Sequence, residues 1–167
     1  VKELDAGPIL AQQDVPIGPE TTAQSLSILL SQIGAVQVIS TLDRITEMSE
    51  IPQGRSGITY AHKIMKREAR INWENPAKVV DRVIRGLSPS PGAWCMLNGT
   101  RIKILNSKVI DSEGSPGCRI NGEEEGGPLI IACGARAVLI TSIQREGKKP
   151  TSGEEFTRGY RGKINFK

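Results

Sequence analysis

Between positions 59 and 73 the chain crowds cations around aromatic rings. Lys63, Lys66, Arg67 and Arg70, with Arg55 just upstream, stand against the single acid Glu68, between Tyr60 and Trp73. Ammonium and guanidinium groups meet phosphates, and aromatic faces stack on bases, so these types at this density are what a nucleic-acid contact requires. A solvated linker has the same composition, so the segment decides nothing alone. Lys148-Lys149 adds a second basic pair near the C-terminal end. Other chemistries find less support. Leu4-Asp5-Ala6-Gly7 reads, taken cold, as a turn with a solvated carboxylate. His62 has no acid nearby in sequence to orient it, and no Ser/His/Asp set, paired helical carboxylates or glycine-rich phosphate loop stands out. Cys95, Cys118 and Cys133 lack CxxC spacing and have one histidine to join them, so no metal site is expected. They read as small core hydrophobes, reduced in a cytoplasm.

Charge divides the chain. Residues 1–53 hold two basic residues and seven acids, net −5, whereas residues 54–167 hold twenty and eleven, net +9. An acidic front and a basic rear predict two structural units, the second facing a polyanion. Apolar runs such as Leu129–Cys133 and Ala137–Ile140 are too short to cross a bilayer, no signal peptide is visible, and no membrane partner is expected. Val1-Lys2-Glu3-Leu4-Asp5 reads like the middle of something, which predicts residues upstream.

The positioning elements follow from periodicity. Residues 8–17 suggest a short strand ended by Pro16 and Pro19. Thr21-Thr22-Ala23-Gln24 has the form of a capping box. Leu26, Leu29, Leu30, Ile33 and Val36 then recur at helical spacing, and Ala35, Val38, Ile39, Leu42 and Ile45 continue at a shifted phase. This predicts two amphipathic helices, or one broken near Gly34, each with a core-facing stripe. Residues 48–58 are polar, with two glycines and a proline, and read as a linker. Asn75 is expected to cap a helix with Pro76 in its first turn and Val79, Val80, Val83, Ile84 and Leu87 on its buried face.

From Ala93 the period becomes two. Ala93–Leu97 and Thr100–Leu105 flank Asn98-Gly99, a hairpin signal, and Arg101 and Lys103 alternate with Ile102 and Ile104 to make one face wet and basic. Further strands are expected at Lys108–Ile110, Gly117–Ile120, Leu129–Cys133 and Ala137–Ile143, with a turn at Asn121-Gly122 among others. Thr151-Ser152-Gly153-Glu154-Glu155 is expected to cap a short helix holding Phe156 and ending at Gly159, with Arg158, Arg161, Lys163 and Lys167 keeping the end basic. The fold class is therefore α+β: a small closed barrel of the oligonucleotide-binding type with flanking helices, or an open sheet packed on the helix after Asn75.

A series of motifs resembles one family. Leu4-Asp5-Ala6-Gly7-Pro8-Ile9-Leu10 looks like the Leu-Asp-x-Gly turn of folate-dependent formyltransferases. Thr59-Tyr60-Ala61-x-Lys63-Ile64 and Glu68-Ala69-Arg70-Ile71-Asn72-Trp73 resemble the opening of the C-terminal domain in the methionyl-tRNA formyltransferase family, with Asn72 where that family usually has Asp. Ile84-Arg85-Gly86-Leu87-Ser88-Pro89-x-Pro91-Gly92-Ala93, Ile102-Lys103-Ile104, Pro116-Gly117, Cys133-Gly134 and Gln144-x-x-Gly147-Lys148-Lys149 follow in the family's order. The resemblance implies three parts: the strand-helix tail of an α/β formyltransferase domain over 1–47, a linker over 48–58, and a tRNA-binding domain over 59–167. It implies formyl transfer from 10-formyltetrahydrofolate to the amine of methionyl initiator tRNA. Asp5 matches the Asp of a catalytic trio whose Asn and His do not occur here, and the folate pocket's Ser-Leu-Leu-Pro is also absent from these residues. The resemblance thus implies a chain inactive alone, with folate bound upstream. The implied tRNA contacts are Lys63, Lys66, Arg67, Arg70, Lys148 and Lys149, in a cytoplasmic monomer. A formyltransferase acting on a small amine, or a free-standing RNA-binding barrel, are the competing readings.

Overall fold

The computed structural model describes residues 4–54, 56–120, 126–160 and 162–167. Arg55, Arg161 and the Asn121-Gly122 turn lie outside the described residues. The chain divides into two compact units, residues 1–21 with 25–63, and residues 22–24 with 64–167.

In the first unit, the stretch expected as a strand makes only an isolated antiparallel bridge. Ile9 N–H donates to the Ile51 carbonyl at 2.8 Å and Ile51 N–H to the Ile9 carbonyl at 2.9 Å. Gln53 donates its amide to the carbonyls of Asp5 and Gly7 at 2.8 and 2.7 Å, fixing the turn that carries Asp5. Asp5 itself sits at φ 57°, a left-handed conformation that Asp tolerates better than most residues.

Helix α1 spans Ala23–Asp43 without interruption, so the expected break at Gly34 does not occur. A single interior glycine costs about 1 kcal/mol relative to alanine, too little to end a helix of this length. The expected core-facing stripes also differ, because none of the helix's residues is buried. Ile28, Leu29, Leu30, Val36, Val38, Ile39 and Leu42 are exposed on it. By length and composition alone, α1 is apolar enough to cross a membrane.

The second unit is built on an antiparallel sheet. Helix α2 is Ala77–Leu87, β1 is Ala93–Leu97, β2 is Thr100–Ile110, β3 is Ile130–Ala132, β4 is Ala137–Arg145, β5 is Thr151–Ser152, and α3 is Gly153–Arg158. The order is β1-β2-β4-β3, with β5 on β4. Asn98 and Gly99, at φ 48° and 78°, make the tight turn between β1 and β2 that their types predict. Lys108–Ile110, expected as a separate strand, is the far half of β2. The register on β4 slips around Asn106, so Ile104 and Leu105 are both buried, and a bulge of this kind bends the strand.

The regular strands form a curled half-barrel, and two irregular segments bridge its open side. Met96 on β1 exchanges backbone hydrogen bonds with Lys167 at 2.7 and 2.8 Å. Cys118 bridges Asn165, and Arg119 bridges Ile131 on β3. Gly117–Ile120, expected as a strand, supplies these bridges only. Gly117 is at φ 80°, and a Cβ there would strike the Phe166 carbonyl, so this crossing requires glycine.

Helix α2 lays Ala77, Val80, Ile84 and Leu87 against the sheet, while Val79, expected to be buried, is exposed. Its N-terminus also differs from expectation. Pro76 is the N-cap, with no side-chain cap, because Pro76 pairs with Ala135 and the Ala77 N–H donates to the Ala135 carbonyl at 2.9 Å. Asp81, 7% exposed, accepts from Arg85 Nε and from Ser107 Oγ, each at 2.8 Å, which fastens α2 to β2. Helix α3 carries the expected capping box: Glu155 N–H donates to Ser152 Oγ at 3.1 Å, and Ser152 N–H to Glu155 Oε2 at 2.9 Å.

Candidate nucleic-acid interface

Strand alternation sorts β1 and β2 into two faces. Ala93, Cys95 and Leu97 point into the core with Ile102 and Ile104, and Trp94, Met96, Arg101 and Lys103 are partly exposed on the other face. The register sets Trp94 opposite Lys103, Met96 opposite Arg101, and Gln144 on β4 opposite Lys103. Side chains directly opposite one another share a face, so the cations gather on one side of the sheet.

The segment from Ala69 to Ile71 extends this face beyond β1. Trp94 N–H donates to the Ala69 carbonyl at 2.8 Å, and Ile71 N–H donates to the Trp94 carbonyl at 2.7 Å. Arg70 then lies beside Trp94, its guanidinium 5.6 Å from the ring centroid, and Arg101 lies 4.3 Å from the same ring. Trp94 Nε1 donates to the Lys66 carbonyl at 2.9 Å. Arg101, Lys103, Gln144 and Arg145 line a depression of about 250 Å³, with Glu146 its one acid. Arg145 stacks on Phe156 at 4.8 Å, and the buried ring stiffens that cation. A second groove, of about 560 Å³, is lined by Arg67, Arg70 and Lys167 among others.

The six cations expected to contact tRNA are distributed unevenly. Arg67 and Arg70 are exposed and line the same groove. Lys66 is exposed and contributes its carbonyl to Trp94. Lys148 and Lys149 are exposed beyond the turn after β4, where Gln144 Nε2 donates to the Lys148 carbonyl at 2.8 Å. Lys63 and Asp5 are exposed and belong to the first unit.

Trp73 departs from its expected role. It is 5% exposed and stacks on Phe166 with centroids 5.7 Å apart, so it is a core residue unavailable to a base. The alternation of buried Ala69, Ile71 and Trp73 with exposed Arg70 and Asn72 is the sequence signal for this. Trp94 and Arg145 join the candidate interface without having been singled out from sequence; Arg101 and Lys103 were legible as a basic face. Among the described residues no group of His, Cys, Asp and Glu is placed to hold a metal ion.

Comparison with known proteins gives this face a context. Residues 63–161 match the family model described as formyl transferase, C-terminal domain. Among curated relatives, the methionyl-tRNA formyltransferases of Roseobacter denitrificans and Cereibacter sphaeroides are 46% and 47% identical over 157 residues. These matches take in 93% and 94% of this chain and 50% of each relative. The chain thus spans about half the length of these relatives. Among solved structures, HypX from Aquifex aeolicus matches in a multiply substituted variant at TM-score 0.68 and in complex with tetrahydrofolic acid at 0.66. Identity is 20% in both, and coverage is 96% and 99% of this chain but 31% and 32% of that one. That likeness concerns the fold. On the match over residues 63–161, the chain belongs to the formyl transferase C-terminal domain family.

Proposed function

We propose that this chain is the tRNA-holding half of an enzyme that transfers a formyl group from 10-formyltetrahydrofolate to methionyl initiator tRNA, for translation initiation. The single observation that carries the reading is the cationic row Arg70, Arg101 and Lys103 on one side of the second unit, with Arg145 at the end of β4 lining the same depression. Phosphate contacts from such a row fix the register of a nucleic acid without reading its sequence. Arg67, Lys66, Lys148 and Lys149 extend the row, and Lys63, in the first unit, is a tRNA contact proposed on the resemblance alone. The curated relatives' names supply the substrate class. In this reading residues 1–47 finish the catalytic domain, 48–58 link, and 59–167 form a barrel of the oligonucleotide-binding type, in a cytoplasmic monomer.

Asp5 is the catalytic contribution of this half. On the family's pattern its carboxylate orients a histidine supplied by the other half, so that the attacking amine can lose its proton. The residues present do not fit a folate pocket. Asp5 is exposed, and the two depressions described above are lined by cations suited to phosphate. Folate is therefore assigned to the half of the relatives' length that this chain does not span.

The test is titration of the purified chain with initiator tRNA at rising salt. The expected result is weak binding that salt releases steeply. Binding insensitive to salt, or no binding, refutes the tRNA role and favours a formyltransferase acting on a small amine.

A further inference from the structure

Trp94 is placed between two arginines that come from opposite sides of β1. Arg70 stands on the segment bridged to Trp94, and Arg101 on the paired strand β2. Their guanidiniums lie 5.6 and 4.3 Å from one ring centroid. Both distances run to the same point, so the two cations are no more than about 10 Å apart. The strands that carry them are separated by two inter-strand spacings, about 9–10 Å. Among the described residues neither arginine pairs with a carboxylate. Two like charges drawn to one ring repel each other until an anion arrives.

The indole is tied down at its edge and met by a cation on its ring. Its face is engaged at 4.3 Å by Arg101, and its N–H is used by the Lys66 carbonyl at 2.9 Å. It is a brace, joining the 66–71 segment to the barrel and holding two guanidiniums in fixed relation. Successive phosphates of one RNA strand can meet the two guanidiniums, one each.

We propose that Arg70, Trp94 and Arg101 form one clamp for neighbouring phosphodiesters of an RNA strand, with Trp94 the positioning residue that sets the separation of the two arginines. The clamp rests on the tRNA-holding role proposed above and gives it a specific locus.

The experiment measures tRNA affinity against salt for the whole chain and for Arg70→Ala/Arg101→Ala, Trp94→Leu and Trp94→Phe, with circular dichroism as the check on folding. Each lost phosphate contact lowers the log–log salt slope by about 0.7–0.9. The arginine double variant should lose about two contacts. Trp94→Leu should lose one to two although it removes no charge, and Trp94→Phe, which keeps an aromatic face, should recover most of the slope. A Trp94→Leu variant that is folded and binds more weakly at unchanged slope overturns the positioning role, since a merely structural residue would behave that way. If Trp94→Leu does not fold, the arginine double variant decides, and an unchanged slope there removes the clamp. In both of those failures the parent still binds tRNA. A parent that does not bind tRNA overturns the broader reading together with the clamp.

Discussion

Neutralising the depression between β2 and β4 should flatten the salt dependence of tRNA binding by a calculable amount. Arg70, Arg101, Lys103, Arg145 and Lys148 are five of the cations along or beside the row, and the slope is worked for contacts from these five. If each takes one phosphate, the log–log slope is about −3.5 to −4.5, at roughly 0.7–0.9 per contact. Between about 50 and 200 mM salt, affinity then falls by a few hundredfold. Lys103→Ala with Arg145→Gln should bring the slope to about −2 to −2.7, and the same salt step should then cost only about 20- to 40-fold. Both side chains sit at the surface, so the variant should stay folded. The assay is fluorescence anisotropy of labelled tRNA at several salt concentrations. Arg136→Ala is the control. Arg136 precedes β4 at the end opposite Arg145, about 30 Å away along the strand, where it faces Asp111 at 3.6 Å. Its removal should leave the slope unchanged. An unaltered slope in the double variant, or an equal drop in the control, refutes a localised face and leaves only diffuse attraction of a polyanion to a basic protein.

Ser107→Ala removes one of the two donors to buried Asp81 and should cost about 1–3 kcal/mol in urea denaturation, because a buried charged acceptor is left short of a partner. No change would mean that water replaces the hydroxyl. Gly134→Ala places a methyl against the Glu74 carbonyl and should destabilise the second unit by about 1–3 kcal/mol of overpacking, read as a lowered melting temperature. Burial pushes the Cys133 thiol from 9.0 up to about 11. The unfolded thiol ionises first, so this contribution to stability is intact below pH 9 and is lost as pH climbs through about 11. Cys133→Ala should be less sensitive to alkali over that window in a pH-dependent melt, and a parallel decline in both proteins would contradict the assignment.

Much of the second unit was legible because its signals lie between neighbours in the chain. Asn98-Gly99 tolerates positive φ at both positions and closes the β1–β2 hairpin. Ser152 and Glu155 stand three apart and form the capping box. Alternation placed Arg101 and Lys103 on one face and Ile102 and Ile104 on the other. The division of charge between front and rear was likewise visible in composition. The same local signals misled where a distant partner competed. Pro76 became the cap because Ala135 reaches it, and residues 8–17 formed a single bridge because Ile51 offers only one. Gly34 did not end α1, since one glycine weakens a helix without supplying an alternative.

The interface itself was decided by tertiary structure. Types and spacing in the sequence determined that the rear of the chain is basic, and that its strands have a wet side. Which aromatic serves that side depended on packing. Trp73 is buried against Phe166, ninety-three positions later, while Trp94 is left between Arg70 and Arg101. Gln144 joined Lys103 on the wet face through the β2–β4 register, and Lys167 came to pair with Met96 at the edge of the half-barrel. Local propensity acts over a few residues, whereas the register of strands and the close approach of a glycine to a far carbonyl are fixed only when the whole core packs at once.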